Sequence, residues 1–166
     1  VKVKFSVALL LTIGLLLTGC TSKDKMDFYD QTYSIDLSAE EIQEVSLGAS
    51  EQKLVAVFGT PAKVEEVDTP PSRYYVYNNL EFKVEDGSII GYILSHERHA
   101  TARNVTIGAT KERVIELYEK NYHERTKTGA AIIGYFDKQL AKNIEFTFNE
   151  EVLIGIMVSA IKSGAH

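Results

Sequence analysis

The sequence predicts an α+β fold of two tandem repeats, each one or two short helices packed on a three-stranded antiparallel sheet. Three observations carry that expectation. Val45-Ser46-Leu47-Gly48-Ala49-Ser50 returns 60 residues later as Val105-Thr106-Ile107-Gly108-Ala109-Thr110. Each copy is followed by apolar residues at helical spacing, and the first is followed further on by apolar and polar residues in alternation. A second pair of blocks, 64 residues apart, matches Leu80-Glu81-Phe82-Lys83-Val84 with Ile144-Glu145-Phe146-Thr147-Phe148, and Ile89-Ile90-Gly91 with Leu153-Ile154-Gly155. Two blocks in the same order read as a duplication. The growth in spacing places a four-residue insertion near Thr126 to Ala130 of the second copy.

Taken from the start of the chain, residues 1–19 have the organisation of a secretory signal peptide. Lys2 and Lys4 form a basic end, an apolar run from Phe5 to Leu17 follows, and small residues close it. The apolar run is shorter than the roughly 20 residues a helix needs to span a bilayer. Leu17-Thr18-Gly19-Cys20 resembles a bacterial lipobox, which implies lipidation of the Cys20 thiol, cleavage before it and a membrane anchor made of acyl chains. Residues 20–44 read as a lipid-proximal tether. Within it, Ser38-Ala39-Glu40-Glu41 has the spacing of a capping box, so a short helical turn or a solvated loop precedes Val45.

The repeats are bounded at 45–102 and 103–166. In each, Gly48 or Gly108 permits a close backbone approach, and Ser50 or Thr110 is a natural N-cap. Leu54, Val55, Val57 and Phe58 lay one apolar stripe on the first helix; Val114, Ile115, Leu117 and Tyr118 do so on the second. Gly59 and Pro61 stop the first helix, whereas Glu119 and Asn121 stand at those positions in the second, so that helix is expected to run on toward Asn121. Tyr74 to Tyr77, Leu80 to Val84 and Ile89 to Leu94 supply three strands, with Asp86-Gly87 turning the last hairpin. The last strand of each repeat is apolar on both faces. One face covers the helix; the other needs the sister repeat, or a partner protein, as cover.

Residues 47–91 resemble the small SmpA/BamE periplasmic lipoprotein family and the related β-lactamase inhibitor protein fold. The matching residues are Gly48-Ala49-Ser50, Leu54, Phe58-Gly59-Thr60-Pro61, Tyr75, Tyr77, Leu80, Phe82, Gly87 and Ile89. The resemblance implies a helix-on-sheet fold, in tandem as in the inhibitor. It implies no particular partner, because family members bind different proteins through different surfaces.

Composition narrows the function classes. The 166 residues carry 18 Lys+Arg against 23 Asp+Glu, a net charge of −5, and loss of Lys2 and Lys4 on cleavage makes the chain more acidic still. That balance argues against nucleic acid as a partner. One cysteine excludes an internal disulfide and a zinc site of several thiolates. His96 and His99 could meet a metal with His123 or Glu124, but their stretch reads as a solvated connector. Paired acids such as Glu40-Glu41, Glu65-Glu66 and Glu150-Glu151 are adjacent rather than face-sharing, and read as surface. No nucleophile elbow, phosphate loop or dinucleotide fingerprint is present. The expectation is therefore no catalytic residue, no metal ligand and no cofactor.

What remains is recognition. Tyr75, Tyr77, Tyr92 and Tyr135 are rigid amphipathic side chains suited either to packing or to a binding surface, and Pro70-Pro71 stiffens a loop that could offer a contact edge. The sequence thus points to a lipid-anchored extracytoplasmic module without catalytic activity, binding an envelope or secreted protein. The alternatives are an inhibitor or regulator of a secreted enzyme, such as a β-lactamase or wall hydrolase, and an envelope hydrolase or metal-binding protein.

Overall fold

A computed structural model describes residues 23–162; Cys20, the signal-like stretch before it and His166 lie outside them. In chain order the elements are α1 (Glu51–Phe58), β1 (Lys63–Asp68), β2 (Pro71–Tyr77), β3 (Leu80–Glu85), β4 (Ser88–Leu94), α2 (Lys111–Tyr118), β5 (His123–Lys127), β6 (Ala130–Asp137), β7 (Lys142–Asn149) and β8 (Val152–Ala160). All eight strands belong to one antiparallel sheet, in the order β1-β2-β3-β4-β8-β7-β6-β5.

That sheet overturns the expectation of two tandem repeats on separate three-stranded sheets. Each half contributes four strands, and β4 and β8 join the halves by pairing Gly91 with Ser159, Tyr92 with Val158, Ile93 with Met157 and Leu94 with Ile156. The halves therefore meet edge to edge through a backbone ladder, and neither covers a sheet face of the other. The strands missing from the sequence reading are the two edges. Lys63-Val64-Glu65-Glu66-Val67-Asp68 is exposed along its whole length, and β5 buries only His123. Charged edges of this kind deter further strand addition, and they hide the apolar alternation by which strands are recognised.

The repeated motif does the same local work in both halves. The Gly48 amide donates to Ile89 O at 2.8 Å and the Ile89 amide to Ala49 O at 2.9 Å; Gly108, Leu153 and Ala109 repeat both distances. Ser50 Oγ accepts from the Lys53 amide and Thr110 Oγ1 from the Arg113 amide, capping two helices of eight residues each. The second helix does not run on toward Asn121. It stops at Tyr118, because Glu119 takes the left-handed turn (φ 73°) that Gly59 takes in the first half (φ 76°).

One face of the sheet carries the core. Phe82, Tyr92, Leu94, Ile133, Ile144, Phe146, Ile156 and Val158 pack there with Leu54 of α1 and with Val114 and Tyr118 of α2. The stretch expected to be a tether also supplies core, through Ile35, Leu37 and Ile42, next to Val45 of the first repeat. No helix forms over Ser38 to Glu41; instead Glu40 is buried, accepting hydrogen bonds from the Tyr118 hydroxyl and the Ala102 amide.

Candidate functional site

The open face is the side of the sheet away from α1 and α2. Register assigns its residues, because Phe82 and Phe146 face the helices and their strand neighbours must face away. Lys83 and Glu81 of β3 point to the open face, as do Ile93 of β4, Met157 and Ser159 of β8, Asn143 and Glu145 of β7, and His123 and Arg125 of β5. Two bulges modify the pattern. Lys83 pairs with Gly91 while Val84 pairs with Ile89, leaving Ile90 as an extra residue; Thr147 and Phe148 leave Ile154 in the same way. Ile154 is 48% exposed.

Part of this face is covered by the chain's own N-terminal segment. Asp24 caps a single 3-10 turn, Lys25–Phe28, in a reciprocal capping box with Asp27. Phe28 stacks on the His123 ring, which stacks in turn on Phe136, and Tyr29 meets Phe136 edge-on. The segment then runs beside β6 beyond the end of its pairing with β5, where the Ile35 amide donates to Phe136 O at 2.9 Å. Lys25 anchors the near end, donating to Asn143 Oδ1 at 2.7 Å and Ser159 Oγ at 2.9 Å.

Two grooves open on this face, the larger of them beside Lys25 and Met26. The larger holds about 370 Å³, with Ile90, Ile93, Met157 and Ile161 among its apolar lining and Lys25, Lys83 and Lys162 among its cations. The smaller, about 250 Å³, lies toward Arg125, Glu145 and Thr147. Ile93 and Met157 line both, so that this cross-strand pair forms the ridge between them. A volume near 370 Å³ is enough for one or two side chains of a partner, or for a small ligand.

Beside the ridge lies a buried ionic cluster. Glu145 accepts from Arg125 Nε at 2.9 Å, and its Oε1 is 3.6 Å from His123 Nε2. Burial opposes ionisation of Glu145, but His123, Lys25 and Arg125 outweigh it and hold the carboxyl below the usual glutamate range. Lys25 is pushed the other way for a lysine: burial lowers its pKa, only partly offset by the charges of Glu145 and Asp24. The cluster fixes the N-terminal segment and the edge of the smaller groove. Among the described residues no group of three or more His, Cys, Asp or Glu is placed to hold a metal ion.

The tyrosines proposed for a contact surface are placed otherwise. Tyr75, Tyr92 and Tyr135 are buried in the core, with Tyr75 hydroxyl on Glu51 and Tyr135 hydroxyl on Glu119 O. Tyr77 is partly exposed and packs on Phe58 and Phe82. Strand parity decides this: odd-numbered Tyr75 and Tyr77 share a face with Phe82, and the bulge at Ile90 turns Tyr92 inward. Pro70 and Pro71 are exposed in the tight β1–β2 connection, where the Thr69-Pro70 bond is cis, and they line neither of these grooves. His96 and His99 lie in the connector after β4, and only His123 reaches the open face. Sequence reasoning missed Ile93, Met157 and Lys25. An apolar second face on the last strands was the available signal, but simple alternation groups Ile93 with Ile89, whereas the bulge leaves Ile89 and Tyr92 buried together.

The chain matches no family model. No curated protein matches it either. Among solved structures it is similar to an extracellular protein containing a SCP domain from Bacillus anthracis str. Ames, with a TM-score of 0.53 and 13% identity over 78% of this chain and 49% of that one. The chain thus spans about half the length of that protein, and the likeness is one of fold. A proposed beta-lactamase inhibitor protein from Streptococcus mutans is also similar at 14% identity, covering 84% of this chain and 99% of that one. Its TM-score of 0.32 is too low to argue from. Among the described residues no helix is long and apolar enough to cross a membrane.

Proposed function

We propose that this chain is an extracytoplasmic protein-binding module without catalytic activity, held at the membrane by a lipid on Cys20, and that it binds through the open face of its sheet. One observation carries the binding reading. The helices and the segment 35–45 cover one face of an eight-stranded sheet, while the Ile93–Met157 ridge and its grooves remain accessible on the other. Apolar surface left open beside polar rims is where protein partners dock. The signal-like residues 1–19 and the lipobox ending at Cys20 support the location; the Bacillus protein of similar fold is itself extracellular.

Inhibition or regulation of a secreted enzyme is the narrower form of the same reading, since an inhibitor is a binding module whose partner is an enzyme. The test is site-specific photo-crosslinking in cells, from position 93 on the ridge and from Glu112 on α2 as control. A discrete adduct from position 93 and none from position 112 supports the reading; equal labelling from both, or none from either, removes it. Titration of secreted β-lactamases and wall hydrolases with the mature chain then decides the inhibitor form. For the anchor, Cys20→Ala should move the protein from the membrane fraction to the soluble one, and unchanged membrane association would refute lipidation.

A further inference from the structure

The larger groove has a charge pattern opposite to that of the chain. Acids outnumber bases overall, 23 to 18, yet this groove is bordered by Lys25, Lys83 and Lys162 against Glu81 alone. Glu85, just outside, is shared between two of the lysines, 2.8 Å from Lys83 and 2.6 Å from Lys162. Lys25 has neutral hydrogen-bond partners only. Its ammonium donates to Asn143 Oδ1 and Ser159 Oγ, and among the described residues no carboxylate oxygen lies within 4 Å of it. An ammonium has three hydrogens to donate, so one remains for a further acceptor. Glu145 and Asp24 act on Lys25 only through space, so a carboxylate brought to it from the groove would be its first contact ion pair.

The floor between these cations is apolar, formed by Ile90, Ile93 and Met157. The face also shows what kind of chain it accepts. Its covered end is occupied by Lys25, Met26, Phe28 and Tyr29, while Lys23, Asp24, Asp27 and Asp30 of the same stretch are exposed. The apolar side of an amphipathic segment already lies on this sheet, and the groove continues from where that segment's Lys25 and Met26 form its wall.

We propose that the larger groove receives an acidic-apolar segment of the partner protein, with an apolar side chain seated on Ile90, Ile93 and Met157 and an adjacent carboxylate completing the ion pair at Lys25. This rests on the open-face reading above and adds the partner's chemistry to it. Lys83 and Lys162 broaden the positive rim and favour approach of that segment over a neutral one.

The probes are three fluorescein-labelled decapeptides of common sequence in which two leucines flank a glutamate, a glutamine or a lysine, titrated against the mature chain by polarisation. The glutamate peptide should bind about tenfold more tightly than the glutamine peptide, the increment of one charge-assisted contact. The gap should close in Lys25→Met, persist in Lys25→Arg, and narrow between about 50 and about 300 mM salt. Ile93→Glu should abolish binding of all three. If Lys25→Met does not fold, as judged by circular dichroism, Lys162→Gln on the exposed rim should still reduce the gap. Equal affinity for the glutamate and glutamine peptides would overturn the proposal, as would a preference untouched by either lysine substitution. Octanoate binding in the groove with no peptide binding would also overturn it, by assigning the site to a lipid-like acid. The two readings fail separately. A position-93 crosslink without any glutamate preference defeats only the acidic partner, whereas loss of that crosslink defeats the open face itself.

Discussion

The Tyr135 hydroxyl donates to the Glu119 carbonyl at 3.0 Å, and so fixes a glutamate in backbone territory that belongs to glycine. Glu119 has φ 73° and ψ −179°; Gly59, at the matching position after α1, has φ 76° and ψ −158° and accepts a hydrogen bond from Tyr77 at 3.1 Å. A side chain in that region costs about 1–3 kcal/mol. Glu119→Gly should therefore stabilise the chain by about 1 kcal/mol or more, and Gly59→Glu should destabilise it by a similar amount. Urea unfolding at neutral pH measures both. An unchanged midpoint in Glu119→Gly would mean that the turn is not strained.

His123 and Gly134 are cross-strand partners on the open face, and the imidazole lies over the glycine. A Cβ at position 134 would stand 2.4 Å from His123 Cε1 and 3.1 Å from Glu145 Cγ. Phe28 and Phe136 hold the ring from both sides, so it has no room to withdraw. Gly134→Ala should cost about 1–3 kcal/mol by overpacking. In the His123→Ala background the same substitution should cost under about 1 kcal/mol, giving a coupling that a double-mutant cycle detects. Additive effects would show that some other contact penalises the alanine.

The sequence displayed the parts of this fold that repeat an apolar period, and concealed those that do not. Leu80, Phe82 and Val84 alternate and were legible as a strand, and Ser50 and Thr110 were legible as caps because their oxygens suit orphan amides. The edges β1 and β5 carry charge on four of six and three of five residues, without an apolar alternation to mark them as strands. Recognition of the site failed for a sharper reason. One extra residue at Ile90 reverses the parity of β4, which sends Tyr92 into the core and Ile93 to the open face. The importance of Lys25 was invisible locally, since Asn143 and Ser159 come to it from more than 100 positions away.

Residues 20–44 were expected to tether the fold, yet residues 35–44 pack within it. Ile35, Leu37 and Ile42 are buried, each worth about 1.5–3 kcal/mol on transfer from water. Glu40 accepts from the Tyr118 hydroxyl and the Ala102 amide, and its loss would leave both without this acceptor at about 1–3 kcal/mol. Together these losses rival the whole stability of an ordinary domain, about 5–15 kcal/mol. A chain beginning at Val45 should therefore lack a cooperative urea transition and a near-ultraviolet dichroism signal. Retention of both would restore the tether reading.

Alkaline pH should unfold the protein through its tyrosines. Burial raises the pKa of Tyr92, Tyr118 and Tyr135 well above the ordinary 10, and burial with the Glu51 hydrogen bond pushes Tyr75 up to about 12. In the unfolded chain all of them ionise near 10. A group whose native pKa is raised holds its proton more tightly when folded, so its contribution is complete below pH 10 and is lost as pH climbs toward the native value. Stability should accordingly be insensitive to these groups up to about pH 9.5 and fall steeply beyond about pH 10. Tyrosinate absorbance near 295 nm should show the exposed members of the nine tyrosines titrating first, and the buried ones appearing in a single step with the loss of circular dichroism. Smooth titration of all nine around pH 10 with the dichroism intact would place Tyr92, Tyr118 and Tyr135 in contact with water, contrary to their packing against Phe82 and Phe146.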